Sequence, residues 1–245
     1  MRSIHFVGGE KGGVGKSVVA RVLAQLFIDR SASFSAFDAD ASHPSLLRHY
    51  EEQTETVSLA EPSGLDPIIE TALSEDGVVL VDLPAQSAQP LFQWLDEGEI
   101  ADLAADGGVG LTFWHVSDGG FSSVEELSKL LDRVPDSVEV IVVRNLGRGR
   151  QFDQLDGSKA LERLKARGGK VVDLPELDGA AMYAIDRHGS SFWAAIHDER
   201  SPLALPMMAR RRAKIWLERA YAAVEPHAVR RLSLVSAPAE TVADA

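Results

Sequence analysis

A glycine-rich loop near the N-terminus contains the residue types that bind phosphate. Residues 8–17 read Gly-Gly-Glu-Lys-Gly-Gly-Val-Gly-Lys-Ser and lie between an apolar run at 4–7 and an apolar-periodic run at 18–28. Because glycine has no Cβ, the N–H groups of such a loop can turn inward and approach an anion closely. A helix that begins near Gly15 adds unpaired N–H groups and the positive end of its dipole. The pattern predicts a strand, a loop and a helix that bind a pyrophosphate.

The loop ends as a P-loop does but begins differently. In a P-loop the final lysine, here Lys16, reaches the β and γ phosphates, and the hydroxyl that follows, here Ser17, binds Mg²⁺. The usual G-x-x-x-x-G-K-S/T spacing fails because Glu10 stands where the first glycine belongs. The string that matches instead starts at a second lysine, Lys11, and reads Lys-Gly-Gly-Val-Gly-Lys-Ser.

This string resembles the deviant P-loop of the ParA/MinD family of dimeric ATPases. The resemblance implies that ATP is bound by the loop and the start of the helix, namely Gly12, Gly13, Val14, Gly15, Lys16, Ser17 and Val18. It also implies that Lys11 reaches across a dimer interface to the partner's nucleotide. Because MinD-like members have glycine at the position of Glu10 and ParA-like members tolerate a polar residue, the resemblance is closer to ParA. A glycine-rich turn without nucleotide is the alternative, and the flanking strand and helix argue against it.

Acidic residues follow two further predicted strands. Asp38 and Asp40 come directly after the apolar run at 34–37, and Asp82 ends the run at 78–81. The carboxyl ends of parallel strands lie at the edge where α/β sheets bind ligands. A carboxylate there can hold Mg²⁺ through its water shell, because Mg²⁺ keeps several waters.

Both acidic stretches resemble parts of the same family. Residues 38–46 are similar to its D-x-D-x-x-x-P-S-L stretch, and residues 82–84 to its D-x-P switch loop, which senses the γ-phosphate. By this resemblance Asp40 orients the attacking water or contacts Mg²⁺ through water, and Asp38 supports the phosphate site. Asp82 would bind Mg²⁺ through water. The alternatives are a solvated turn for the first pair and a helix cap for Asp82.

A site for the base is predicted near the end of a later strand. Asn145 follows the β-branched run at 138–143 and resembles the family's adenine-reading asparagine, whose amide can both donate and accept. Asparagine near glycine is also a common turn signal, so that alternative stays open. Pro175 belongs to residues 173–177, which resemble the loop that closes over the base. Arg148 and Arg150 could stack on the base or be solvated.

Strand and helix patterns alternate along the chain. Predicted strands cover 4–7, 34–37, 78–81, 109–116, 138–143 and 170–174, with a candidate edge strand at 57–59. Predicted helices cover 18–28, 68–73, two stretches between 87 and 105, 122–133, 160–166 and about 205–224. This alternation predicts an α/β fold with right-handed crossovers. We expect a doubly wound, mostly parallel sheet with helices on both faces, as in P-loop NTPases.

Composition limits the other classes of protein. The 245 residues suit a single domain, which we place at 1–225 with a flexible tail at 226–245. The chain has no cysteine, which excludes the relatives that carry iron–sulfur clusters or deliver nickel. The histidines show no metal-ligand spacing, so we assign no transition metal. With no apolar run of about 20 residues and no signal peptide, a cytoplasmic protein is expected.

Positive charge is concentrated near the C-terminus, although the whole chain has a net charge of −12. Residues 200–231 contain eight Lys and Arg against two Glu, a net charge of +6. The helix predicted at about 205–224 has one apolar face, which we expect to pack on the sheet. The alternative is a basic amphipathic helix that contacts DNA phosphates or an anionic membrane, through residues such as 210–214.

The resemblance implies Mg²⁺-dependent ATP hydrolysis that controls dimerisation. Phosphoryl transfer needs positioning and positive charge, for which Lys16 and the partner's Lys11 are the candidates, with Asp40 at the water. We expect a slow switch, a homodimer in the ATP state and a protein activator. The first hypothesis is DNA partition, plasmid maintenance or transfer, with the protein at the nucleoid. The second is a membrane-cycling regulator of the MinD type, and the third is an ATP-dependent ligase.

Overall fold

Seven parallel strands form one sheet in the computed structural model, which describes residues 2–201 and 204–229. They are β1 (Arg2–Gly8), β2 (Phe34–Asp38), β3 (Thr54–Thr56), β4 (Val78–Asp82), β5 (Val109–Ser117), β6 (Glu139–Asn145) and β7 (Lys170–Leu174). Their order across the sheet is β3-β2-β4-β1-β5-β6-β7, and every neighbouring pair is parallel. Because β1 lies in the middle, the loop that follows it lies at the centre of the sheet's carboxyl edge.

Helices connect the strands and cover both faces of the sheet. They are α1 (Lys16–Asp29), α2 (Ser45–His49), α3 (Asp66–Ser74), α4 (Ala88–Glu97), α5 (Ile100–Asp106), α6 (Phe121–Arg133), α7 (Asp153–Asp156), α8 (Lys159–Ala166), α9 (Gly179–His188), α10 (Phe192–His197) and α11 (Met207–Ala228). Within residues 2–201 and 204–229, no helix is long and apolar enough to cross a membrane.

Two apolar cores lie on opposite sides of the sheet, because successive strand side chains point to opposite faces. In β1, Val7 packs into the core formed with α1, α9, α10 and α11, whereas Phe6 packs into the core formed with α3–α8. The predicted doubly wound α/β fold is therefore confirmed. The apolar face of α11 packs as expected, and Trp216 donates from Nε1 to the carbonyl of Pro175 at 2.7 Å.

A buried arginine holds together three of the helices around the sheet's carboxyl edge. Arg21 of α1 donates from Nη1 to Asp186 of α9 at 2.8 Å, and the same atom lies 2.8 Å from His49 Nε2 of α2. Burial, with Arg21 as a second cause, lowers the pKa of His49 to about 4, so the imidazole is neutral. This contact fixes α2 and α9 beside the start of α1.

The edge strand was predicted three residues too late. Residues 54–56 form β3 by pairing with β2, whereas the predicted strand began at Val57. Val57 donates its N–H to the carbonyl of Asp38 and buries its side chain in the core. The apolar residues at 57–59 therefore marked burial at the end of the strand rather than the strand itself.

The C-terminal helix is longer than predicted and is preceded by two helices that were not predicted. α11 continues through Pro226 to Ala228, where the missing N–H of proline affects only the last turn. α9 begins after Asp178, whose side chain accepts from the N–H groups of Ala180 and Ala181. Aspartate is a common N-cap residue, because its side chain can accept from the unpaired N–H groups of the first turn. Of the tail predicted at 226–245, residues 230–245 lie outside the described residues.

Candidate nucleotide-binding site

The glycine loop joins β1 to α1 and depends on glycine at its last position. Gly15 is the N-cap of α1 and has a backbone φ of +97°, a value that residues other than glycine rarely adopt. A Cβ at this position would also collide with the side-chain amide of Asn145. The loop therefore passes close over the end of β6 before α1 begins at Lys16.

Lys16 lies inside the loop and is largely buried. Its Nζ donates to the carbonyl of Lys11 at 2.9 Å, which closes the loop on itself. Burial lowers the pKa of Lys16, and the carboxylates of Asp82 and Glu10 act against that shift. This places an ammonium group among acids at the centre of the sheet's edge, and its contact with the phosphates stays a prediction.

Asp82 is fully buried at the end of β4, and one of its oxygens is unsatisfied. Oδ1 has no hydrogen-bond partner in the part of the chain that the structure describes. Burial, followed by the neighbouring Asp38 carboxylate, raises the pKa of Asp82 to about 7, although the Ser17 hydroxyl donates to it. An unpaired buried carboxylate oxygen beside a hydroxyl fits a Mg²⁺ ion with its water shell. Ser17 and Asp82 thus lie together, and their contact with a metal ion stays a prediction.

Asp38 lies beneath the loop that follows β2. Its two oxygens accept from three backbone N–H groups, those of Asp40 at 3.0 Å, Leu46 at 2.8 Å and Leu47 at 3.1 Å. Burial raises the pKa of Asp38 in spite of these bonds. Asp38 therefore holds the loop and the start of α2, and its predicted support of the phosphate site stays a prediction.

Asp40 lies above Asp38 and shapes the same loop. Its Oδ1 accepts from the N–H and hydroxyl of Ser42 and from the N–H of His43, at 2.8–3.1 Å. Burial would raise the pKa of Asp40, but these bonds outweigh it and hold the pKa below its usual value. Oδ2 accepts no hydrogen bond from the described residues. Asp40 is thus ionised and has one oxygen available to a water.

Two adjoining cavities meet at these residues. The first has a volume of about 710 Å³ and is lined by the glycine loop, Asp40 and Pro84. The second, of about 270 Å³, is lined by Asn145 and Pro175. Val18 and Arg148 line both. Together they have the size of a ligand site, with phosphate-binding groups at one end and an amide at the other.

Asn145 makes two contacts that the sequence did not indicate. Its Nδ2 donates to the carbonyl of Val14 at 2.8 Å, and its Oδ1 accepts from the N–H of Gly147 at 3.1 Å. The buried amide therefore holds the glycine loop against the end of β6. A carboxamide has a second donor hydrogen and a second lone pair, so a base contact stays a prediction.

Lys11 contacts its own chain. Its Nζ lies 2.5 Å from Oδ2 of Asp118, which follows β5. The predicted contact with a partner's nucleotide would require this ion pair to open. Asp118 was not identified as a candidate from the sequence, although it follows a strand in the same way as Asp82.

Glu10 connects the glycine loop to the segment after Asp82. Its Oε1 accepts from the N–H of Ala88 at 2.7 Å, and its carbonyl accepts from the N–H of Gln86 at 3.3 Å. The carboxylate thus caps α4, where the helix dipole favours negative charge. Glu10, the residue at which the loop departs from the usual motif, therefore bridges two loops.

A comparison with proteins of known sequence finds relatives of this chain. The chain is 31% identical to protein MobD of Acidithiobacillus ferrooxidans over 183 residues, which cover 72% of this chain and 78% of MobD. It is 26% identical to a protein TraL of Escherichia coli over 249 aligned positions, which cover 94% of this chain and all of TraL. No family model matches the sequence.

A solved structure shares the fold. The septum site-determining protein MinD of Pyrococcus horikoshii, complexed with Mg-ADP, superposes with a TM-score of 0.53 at 16% identity. The alignment covers 97% of this chain and 99% of MinD. The parallel sheet, with a glycine loop between its central strand and α1, defines the class of P-loop NTPases. Within that class, the chain belongs to the ParA/MinD family of deviant P-loop ATPases.

The buried carboxylate predicts a pH dependence of stability. Because the pKa of Asp82 rises from 3.8 to about 7 on folding, the folded chain binds more protons than the unfolded chain between these values. The free energy of unfolding should therefore fall as the pH rises through this range. Asp82→Asn should make the free energy of unfolding less dependent on pH in this range. Above the folded-state pKa of Asp82, it should stabilise the metal-free protein by about 2–4 kcal/mol. Urea unfolding at about pH 5 and pH 8 measures this, and an unchanged pH dependence would contradict it.

The two contacts of Asn145 predict a loss of stability without nucleotide. Asn145→Ala should lower the free energy of unfolding of the nucleotide-free protein by about 1–3 kcal/mol, because a buried carbonyl loses its donor. Arg148→Ala is the matched control, since its side chain makes no hydrogen bond to the described residues and should change stability by less than about 0.5 kcal/mol. Equal unfolding curves for Asn145→Ala and the native protein would show that the asparagine does not anchor the loop.

Proposed function

We propose that the protein is a Mg²⁺-dependent ATPase that acts as a nucleotide-controlled dimerisation switch in DNA partition, plasmid maintenance or transfer. The observation that carries this proposal is the unsatisfied, buried oxygen of Asp82 beside Ser17 and Lys16. A buried polar atom without a partner costs free energy, and a metal–phosphate group at this position would satisfy it. The family membership supports the same reaction.

The residues of the site have distinct roles in this proposal. Lys16 and the loop N–H groups bind the β and γ phosphates, and Ser17 with Asp82 holds the water shell of Mg²⁺. A Mg²⁺ ion held there would supply positive charge against the charge that develops on the phosphoryl oxygens. Asp40 orients the attacking water through its free oxygen. Asn145 and the loop at Pro175 enclose the base.

Lys11 is the residue that links hydrolysis to dimerisation in this proposal. The side chain is 38% exposed and is attached to the glycine loop, so it can leave Asp118 without unfolding the core. In the partner's site it would add a second cation to the phosphates, as an arginine finger does. Hydrolysis is then slow in a monomer, and a partner protein that favours the dimer would stimulate it.

DNA is the first candidate for the surface on which the switch works. The solvent side of α11 carries Arg211, Arg212, Lys214 and Arg219. Such cations bind DNA phosphates without reading sequence. Arg210, which the sequence suggested as part of this surface, pairs instead with Glu199 at 2.8 Å and is only 17% exposed. The names of the relatives, MobD and TraL, agree with a role in mobilisation or transfer.

A membrane surface is the second candidate, because apolar side chains lie among these cations. Met207 is 70% exposed, Met208 50% and Ile215 36%, all on α11. Apolar and basic side chains on one helix are typical of binding to an anionic lipid surface. Either candidate agrees with a cytoplasmic protein that is recruited to the nucleoid or to the membrane.

Mixing two inactive variants tests whether Lys11 acts on the partner's site. Lys11→Ala should lose nearly all ATP hydrolysis while still binding nucleotide, and Asp40→Ala should lose hydrolysis while keeping Lys11. In an equal mixture, half of the dimers combine one of each, and one site of such a dimer is complete. We expect about a quarter of the native rate per protomer. A mixture that remains inactive would contradict action on the partner.

Charge and apolar substitutions on α11 separate the two surfaces. Arg211→Glu with Lys214→Glu should weaken DNA retardation by the ATP-bound protein at low salt by more than about tenfold. Met207→Ser with Met208→Ser should leave DNA binding unchanged but reduce co-sedimentation with anionic liposomes if lipid is the surface. Lys129→Glu on α6 is the matched charge control. If the ATP-bound native protein does not retard DNA, the proposal that DNA is the surface is contradicted.

A further inference from the structure

Lys11 is restrained at both its backbone and its side chain. The carbonyl oxygen accepts from Lys16 Nζ at 2.9 Å, and the ammonium group donates to Asp118 Oδ2 at 2.5 Å. The first restraint comes from the lysine that the P-loop pattern assigns to the phosphates. The two restraints therefore differ, because only the first comes from a residue that the nucleotide is predicted to engage.

The acceptor for Lys11 is itself held in place. Oδ1 of Asp118 accepts from the N–H of Gly120 at 3.1 Å and from the hydroxyl of Ser123 at 2.8 Å. A Cβ on Gly120 would lie 3.3 Å from Lys11 Nζ, so glycine leaves room for the ammonium group. Burial would raise the pKa of Asp118, but the hydrogen bonds from Lys11 and Ser123 lower it, so it is ionised. The segment between β5 and α6 thus presents an oriented carboxylate to the lysine.

We propose that Asp118 is a positioning residue that retains Lys11 on its own chain and thereby sets the protein concentration at which two protomers pair. This inference rests on the proposed function, in which Lys11 acts in the partner's site. The lysine cannot bind Asp118 and the partner's phosphates at the same time. Pairing therefore requires that each protomer open its Lys11–Asp118 contact.

The free energy of opening the Lys11–Asp118 contact counts twice in the dimer equilibrium, because each of the two protomers must open its own contact. The lysine side chain is 38% exposed and the aspartate 18%, so the ion pair is partly screened by solvent. It therefore favours the closed contact over the open one by only about threefold. Two such contacts would change the dimer dissociation constant by about ninefold. Once Lys16 engages phosphate, Asp118 is the remaining restraint on Lys11 within the described residues. This order couples filling of the site to exposure of the lysine.

The first experiment examines Lys11 in the nucleotide-free protein. Asp118→Asn keeps an oxygen for Gly120 and Ser123 but removes the charge that holds the ammonium group. Acetylation of the Lys11 amine, followed by mass spectrometry, should be about threefold faster in this variant. Asp132→Asn on α6 breaks an ion pair with Arg163 and is the matched control, with no expected change at Lys11. An unchanged rate in Asp118→Asn would overturn the inference.

The second experiment follows ATP hydrolysis per protomer as a function of protein concentration. In Asp118→Asn the midpoint should move to about ninefold lower concentration, whereas Asp132→Asn should keep the native midpoint. If the activity of the native protein rises with concentration but the midpoint is unchanged in Asp118→Asn, the inference about Asp118 is overturned and the proposed dimer switch stands. If the native activity per protomer is independent of concentration, the proposed dimer switch fails and the inference fails with it.

Discussion

A negative charge is buried at the end of β4 without full compensation, and the rest of the site is arranged around it. Asp82 is fully buried beside a second buried acid, Asp38, and both the burial and the Asp38 charge disfavour ionisation of Asp82. Lys16 and the hydroxyl of Ser17 offset part of that cost, but Oδ1 stays unpaired within the described residues. Such a site is costly for the protein alone, and its stability rises when a cation binds the folded state.

The surrounding structure divides into a rigid frame and a few contacts that can change. The frame is the parallel sheet with its two cores, and it fixes Asp38, Asp82 and Asn145 because they stand at strand ends. The adjustable contacts are those of the loop, where Lys11 binds Asp118 and Glu10 binds the start of α4. Through these contacts the loop reaches α4 and α6, two helices that lie beside each other on one face of the sheet. A change at the phosphates can therefore reach a surface that a partner could recognise.

Much of the frame was predictable from sequence, because buried parallel strands give continuous apolar runs and the glycine loop has one known geometry. The grouping of Lys16, Ser17, Asp40 and Asp82 followed from the rule that parallel strands end at one edge. The second role of Asn145, the pairing of Lys11 with Asp118 and the cap formed by Glu10 were not predictable. Each of them joins residues that are distant in sequence, and only the packing of the loops decides which atoms meet. The offset of β3 has a similar cause, since backbone pairing rather than apolar character defined the strand.

Sedimentation velocity of the native protein with Mg²⁺, first with ADP and then with a non-hydrolysable ATP analogue, measures whether the nucleotide controls dimerisation. We expect a monomer with ADP and a dimer with the analogue, because only the γ-phosphate offers Lys11 an anion that can replace Asp118. A monomer in both states would contradict it, and so would a dimer whose stability does not depend on the nucleotide.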